Sequence, residues 1–258
     1  MRREKVPCNI TTHSFACHGS IGKFCDATVL LRNDDVLQHL DKPKSNPLEG
    51  GVTFDQMNKY IASCLAGVFL PTDSLTQKGS SIGQEPWEML RSVSPMPAWK
   101  FLSVDSVHRS KSSWENLAVA LGRSHPRYNC DGNAYQTISA LAVARGSKGP
   151  FLSQDIQKIN DKLTSAYNPV DWNPFPVDIW TATKNSVPSP NSASSLSSAV
   201  NSTRIVDFVE HVWMKAYEKY KAKAFLHWYW KYGMEEADFD AAFDSTKTIV
   251  EEYLSAVR

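Results

Sequence analysis

The chain has no long apolar run. Its longest apolar segment, Ile61 to Leu70, falls well short of the ~20 residues that a membrane-spanning helix needs. Neither sign of charge is in excess: 28 Lys and Arg against 27 Asp and Glu leave a formal net charge of +1. That balance argues against a nucleic acid or a membrane as partner. Cysteine is sparse and odd in number, at five, with no Cys-x-x-Cys pair, so reduced thiols in a cytosolic protein are the simpler account. The basic start, Arg2-Arg3-Glu4-Lys5, leads into no apolar run, so no secretory leader is expected. Cys8, His13, Cys17, His18 and Cys25 fit no standard zinc spacing, and no metal site is expected from them. Glycine-rich loops are also missing. His18-Gly19-Ser20-Ile21-Gly22 is the nearest approach, and it is too sparse to cradle phosphates with backbone amides.

At 258 residues the chain is long enough to bury a substantial core. Its clearest pattern lies near the end. Ile205, Phe208, Val209, Val212, Trp213, Ala216, Tyr217, Tyr220, Ala224 and Phe225 recur at three- and four-residue steps and predict a long amphipathic helix. Asn201, Ser202 or Thr203 is expected to cap its start. Gly233 stands where a left-handed C-terminal residue is wanted. A second helix opens at Glu235 and Glu236, with Phe239, Ala242, Phe243, Thr246, Val250, Tyr253, Leu254 and Val257 as its stripe. The expected product is an antiparallel helix pair laid on a core.

Further forward, Ala27 to Leu31 reads as a buried strand, Arg32 to Asp35 as a turn, and Val36 to Leu40 as a short helix. Residues 41–51 read as a loop. Thr53 caps a helix from Phe54 to about Phe69, apolar on most sides and the best candidate for a central helix. Thr72 to Gln84 reads as a loop. Glu85 and Glu88 precede Pro95-Met96-Pro97 and a strand from Trp99 to Val104. Trp114, Leu117 and Leu121 allow a short helix, and His125 to Gly132 is irregular. Ile138 to Arg145 reads as a buried strand, Ser153 to Leu163 as an amphipathic helix, and Val177 to Thr183 as a strand. Asn185 to Ser198, rich in serine and proline, reads as a flexible connector.

The string Lys223-Ala224-Phe225-Leu226-His227-Trp228-Tyr229, followed by Gly233-Met234-Glu235-Glu236 and Phe239, resembles the C-terminal helix pair of the tubulin superfamily. In that family this pair forms the ridge where motors and associated proteins bind. The order of strand, Asn-acidic turn and core helix resembles the end of the tubulin nucleotide domain. Residues 57–72 are most similar to delta-tubulin. The resemblance implies an α+β fold: the remnant of an α/β nucleotide-binding domain with its central helix (1–71), an intermediate domain of mixed sheet and helices (72–200) and a C-terminal antiparallel helix pair (201–258).

The resemblance also implies guanine contacts at Asn33, Phe54 and Asn58. Asparagine amides both donate and accept, which suits the mixed edge of guanine. An aromatic ring can stack on the base, and phenylalanine keeps that stacking where the family usually has tyrosine. Glu88 falls where alpha-tubulin has the acidic residue that faces the nucleotide of the adjoining subunit and activates water there. The cofactor implied is GTP or GDP, with magnesium and phosphates held by an N-terminal half that the chain is expected to lack. As an isolated chain it is then not expected to hydrolyse GTP. The partners implied are other tubulins and microtubule-associated or basal-body proteins, in the cytoplasmic cytoskeleton, the basal body or the centriole. A non-enzymatic, tubulin-derived binding module is the alternative.

Overall fold

A computed structural model describes residues 8–10, 25–40, 52–75, 81–82, 85–110, 112–146, 151–187 and 194–257. The elements run β1 (Cys8–Ile10), β2 (Thr28–Leu30), α1 (Asn33–Leu40), α2 (Phe54–Phe69), β3 (Ser74–Leu75), β4 (Ser81–Ile82), α3 (Pro86–Val93), β5 (Phe101–Arg109), α4 (Trp114–Ser124), β6 (Thr137–Arg145), α5 (Ser153–Tyr167), β7 (Val177–Ala182), β8 (Ser194–Ser202), α6 (Arg204–Lys221), α7 (Leu226–Lys231) and α8 (Glu236–Ser255). Six strands form one mixed sheet in the order β1-β2-β5-β8-β6-β7, and β3 and β4 form a small antiparallel pair. The fold class is α+β, as expected. His13, Cys17 and His18, from which no zinc site is expected, the loop 41–51 and the sparse glycine stretch 18–22 lie outside the described residues.

Strand β8 is the main departure from the sequence reading. Ser194 to Ser198 was expected to end a flexible connector; instead it begins a strand that lies between β5 and β6, antiparallel to both. Its serines are buried because small side chains are what this position requires. A Cβ placed on Gly67 of α2 would stand 2.0 Å from Ser197 Oγ, so α2 and β8 meet in near-backbone contact. Each hydroxyl finds a partner nearby: Ser197 Oγ lies 2.7 Å from Ser106 Oγ, Ser198 accepts from the Tyr167 hydroxyl at 3.0 Å, and Ser195 donates to Asn185 at 3.1 Å. Hydroxyls satisfied in this way carry little of the usual cost of burying polar groups.

The sheet is covered on both faces. On one, α2 and α3 pack Cys64, Val68, Met89 and Val93 on Leu102, Val104, Leu141, Val143 and Ala199. On the other, α4 and α5 pack Leu117, Leu121, Ile159 and Leu163 on Ala140, Ala142, Ala144, Leu196 and Val200. The alternation of 140, 142 and 144 with 141 and 143 is the two-residue period of a strand buried on both sides. Helix α2 keeps its expected bounds. Its first turn is closed by Thr53, whose N–H donates to Gln56 Oε1 at 2.9 Å while its hydroxyl accepts from the Gln56 N–H at 3.3 Å. Its last turn is closed by buried Arg145, which donates to the carbonyls of Gly67 and Pro71 at 2.9 Å and also to that of Leu70.

The terminal helices form a third cluster: Val206 and Val209 of α6 and Val250 and Tyr253 of α8 pack on Phe101 and Ile138. The cap expected from Asn201, Ser202 or Thr203 takes another form. Asn201 and Ser202 end β8, and Thr203 accepts from the Gln136 N–H at 3.0 Å instead of capping its own helix. Helix α6 also ends earlier than its pattern predicts. Lys223 turns left-handed (φ 52°), and the N–H groups of Lys223 and Ala224 donate to the carbonyls of Tyr220 and Lys219. That paired closure is a Schellman turn built without glycine. Gly233 (φ +84°) closes α7 in the same way, as expected of it. Leu254, placed on the α8 stripe, is exposed instead. Other differences are smaller. Helix α1 begins at Asn33, inside the expected turn, and β3 and β4 occupy the expected loop 72–84.

Candidate functional site

The first turn of α1 and the first two turns of α2 carry the three residues matched to guanine contacts. Phe54 and Asn58 stand one turn apart on α2, so they share a face. Phe54 is 79% exposed, and Asn58 is exposed as well. Asn33 opens the neighbouring helix α1 and is also exposed. The two helices lean together through His39, whose ring stacks on that of Tyr60 with centroids 4.4 Å apart. The fold therefore presents an open aromatic face and two amide side chains on adjoining helices.

Glu88 lies in the first turn of α3 and is half-buried. Its Oε2 accepts from the Glu85 N–H at 3.1 Å. One carboxylate oxygen thus closes the helix start, which holds the side chain in one position. Trp87 (58% exposed), Met96, Trp172 and Phe175 (85%) are large apolar side chains left exposed. Met96 and Trp172 both meet Trp99. Trp99 donates its backbone N–H to the Met96 carbonyl, and its ring packs tilted against that of Trp172 with centroids 5.4 Å apart. The Trp172 indole donates to the Ala256 carbonyl at 2.7 Å, and Asn173 donates to the Ile138 carbonyl at 2.8 Å.

A polar centre unforeseen in the sequence joins α1 to α6. Asp35 accepts from Arg32 Nε at 2.6 Å and from Arg204 Nη2 at 2.8 Å, across 169 residues of chain in the second case. The two arginines border a small open cleft walled by Leu30, Phe101, Val200 and Ile205. Behind it His125 lies buried, its Nε2 3.5 Å from Ser202 Oγ and its ring edge-on to Tyr167. Burial first, then the charges of Arg204 and Arg32, push the His125 pKa down to about 3. No sequence signal could have found this group, because Arg32 sits in a turn motif and Arg204 at an ordinary helix start. Among the described residues, no group of three or more His, Cys, Asp and Glu is placed to hold a metal ion.

No family model matches the chain. Curated relatives do. The chain is 26% identical to a tubulin alpha chain of Eremothecium gossypii, over 95% of this chain and 55% of the relative. It is 24% identical to the human tubulin delta chain, over 87% of this chain and 55% of the relative. It is 25% identical to a tubulin beta-1 chain of Chondrus crispus, over 78% and 45%. The chain thus spans about half the length of these relatives. Alpha, beta and delta chains match at nearly equal identity, which supports the superfamily without separating its branches.

Proposed function

We propose that this tubulin-superfamily chain is a cytoskeletal component that works by engaging other tubulin subunits. The observation that carries the reading is the exposure of four large side chains, Trp87, Met96, Trp172 and Phe175. Side chains of this size suit the apolar centre of a protein interface. The location that goes with this reading is the cytoplasmic cytoskeleton. A delta-type role at basal bodies or centrioles, with associated proteins on the terminal helices, is the finer form of the proposal. The division at 1–71, 72–200 and 201–258 belongs to it as well.

The nucleotide chemistry follows from the same reading. Phe54 stacks on guanine, while Asn33 and Asn58 read its edge. Phosphates and magnesium are held by groups outside the described residues. Glu88, on the contact face, serves the nucleotide of the neighbouring subunit, so hydrolysis awaits assembly. A non-enzymatic binding module that engages other tubulins is the second form the proposal takes.

Co-sedimentation with assembled alpha/beta tubulin tests the reading. The wild-type chain is expected to pellet with the polymer. A Trp172→Ser/Phe175→Ser variant with an unchanged circular dichroism spectrum is expected to lose at least tenfold in affinity, as befits central interface aromatics. Equal pelleting of both proteins would overturn the subunit-contact proposal.

A further inference from the structure

Amide groups read the edge of a base only when they stand in fixed positions relative to one another and to the stacking ring. Phe54 and Asn58 meet that condition through the period of α2. Asn33 belongs to a different helix, so its position depends on how α1 is held. Helix α1 has 8 residues and is too short to be stable alone. Val36 is its one buried residue, and a single buried contact leaves a helix free to roll.

Two grips remove that freedom. At the first turn, Asp35 accepts from Arg204 Nη2 at 2.8 Å on one carboxylate oxygen and from Arg32 Nε at 2.6 Å on the other. Arg204 opens α6, and its side chain is only 12% exposed, so solvent screens the pair only in part. At the last turn, the His39 ring stacks on that of Tyr60, with 26° between their planes. Tyr60 is itself fixed, because its hydroxyl donates to Asp105 Oδ1 on β5 at 3.3 Å. Asp35 and His39 stand four residues apart, so both grips act along one side of α1. Asn33 stays exposed beside them.

We propose that Arg204 and His39 are positioning residues for base recognition: they set Asn33 against Phe54 and Asn58, and so set the preference for guanine. The proposal rests on the nucleotide reading above and names two residues outside the site on which its selectivity depends. Neither touches the base. Each acts through Asn33 by holding one end of the helix that carries it. Through Arg204 the selectivity is tied to the start of the terminal helix pair, 169 residues from Asp35 along the chain.

The test is titration of the full 258-residue chain with GMP and with AMP, which differ only in the base, followed by NMR chemical-shift changes. The wild-type chain is expected to bind GMP more tightly than AMP. Asn33→Ala should lower that affinity ratio about fivefold, the worth of one ordinary hydrogen bond. Arg204→Met keeps the packing of the stem and His39→Leu keeps apolar bulk, and each should lower the ratio by roughly twofold to fivefold. Added to Asn33→Ala, neither should lower it further, because both act through that side chain. Partial unfolding weakens both nucleotides alike and leaves the ratio unchanged, so a merely structural role does not move this readout. Equal affinity for GMP and AMP in the wild type, or a ratio unmoved by Asn58→Ala, would overturn the nucleotide reading and this proposal with it. A ratio that Asn58→Ala lowers but Arg204→Met and His39→Leu leave unchanged would overturn the positioning proposal alone. So would effects of those two variants that persist undiminished beside Asn33→Ala.

Discussion

Replacing His125 by glutamine should flatten the acid side of the stability profile. In the fold His125 is 4% exposed, and burial with Arg204 and Arg32 nearby holds its pKa at about 3 against an ordinary value near 6.5. The native state therefore refuses a proton that the unfolded chain accepts. With a depressed folded pKa, this contribution to stability is complete above pH 6.5 and is lost as pH falls from about 6.5 toward 3. Each pH unit in that window is worth about 1.4 kcal/mol, so falling to pH 5 costs about 2 kcal/mol from this residue. The assay is urea unfolding of wild type and His125→Gln at pH 7.5, 6 and 5. The variant should start lower at pH 7.5, because its amide must fit against Ser202 and Tyr167. The gap between the two proteins should then shrink by about 2 kcal/mol on reaching pH 5. A gap constant across the range would refute the argument, because it would mean that His125 titrates alike in both states.

Three further outcomes follow from the packing and the site. Gly67→Ala should destabilise by about 1–3 kcal/mol, since its Cβ would stand 2.0 Å from Ser197 Oγ and 2.7 Å from Ser197 Cβ; thermal melts should also show part of the loss recovered in Gly67→Ala/Ser197→Gly. Tyr253→Phe should cost about 1–3 kcal/mol in chemical unfolding, because its buried hydroxyl accepts from the Phe101 N–H at 2.9 Å and donates to Asn201 Oδ1 at 2.9 Å. For the nucleotide reading, Asn58→Ala in a longer, nucleotide-binding form of the protein should weaken guanine nucleotide affinity with little change in melting temperature, as Asn58 is exposed. Unchanged affinity in a titration of labelled GTP would remove Asn58 from the site.

Elements with their own punctuation were legible before folding. Helix α2 carries Thr53 and Gln56 at its start, and those two residues close its first turn in the structure. Gly233 announced a left-handed closure, and β6 announced itself by an unbroken run of small and branched apolar residues. What escaped reading lacked a local cause. Serines 194, 195, 197 and 198 look like linker in any window, and they become strand only because β5 and β6 supply ladders on both sides. Lys223 closes α6 left-handed, a conformation that its residue type does not favour. The cap expected of Thr203 went to Gln136 of another segment.

The candidate site divides along the same line. That Phe54 and Asn58 share a helix face follows from their spacing of four, and the helix period alone places them together. That Arg32, Asp35 and Arg204 form one centre, that His125 is buried behind it, and that Trp172 and Phe175 stand open depended on how distant segments meet. Periodicity and capping are properties of neighbours along the chain, so a window of residues contains them. Burial, ion pairing and exposure are properties of neighbours in space. They exist only after the sheet has brought β2, β5, β8 and the two terminal helices together.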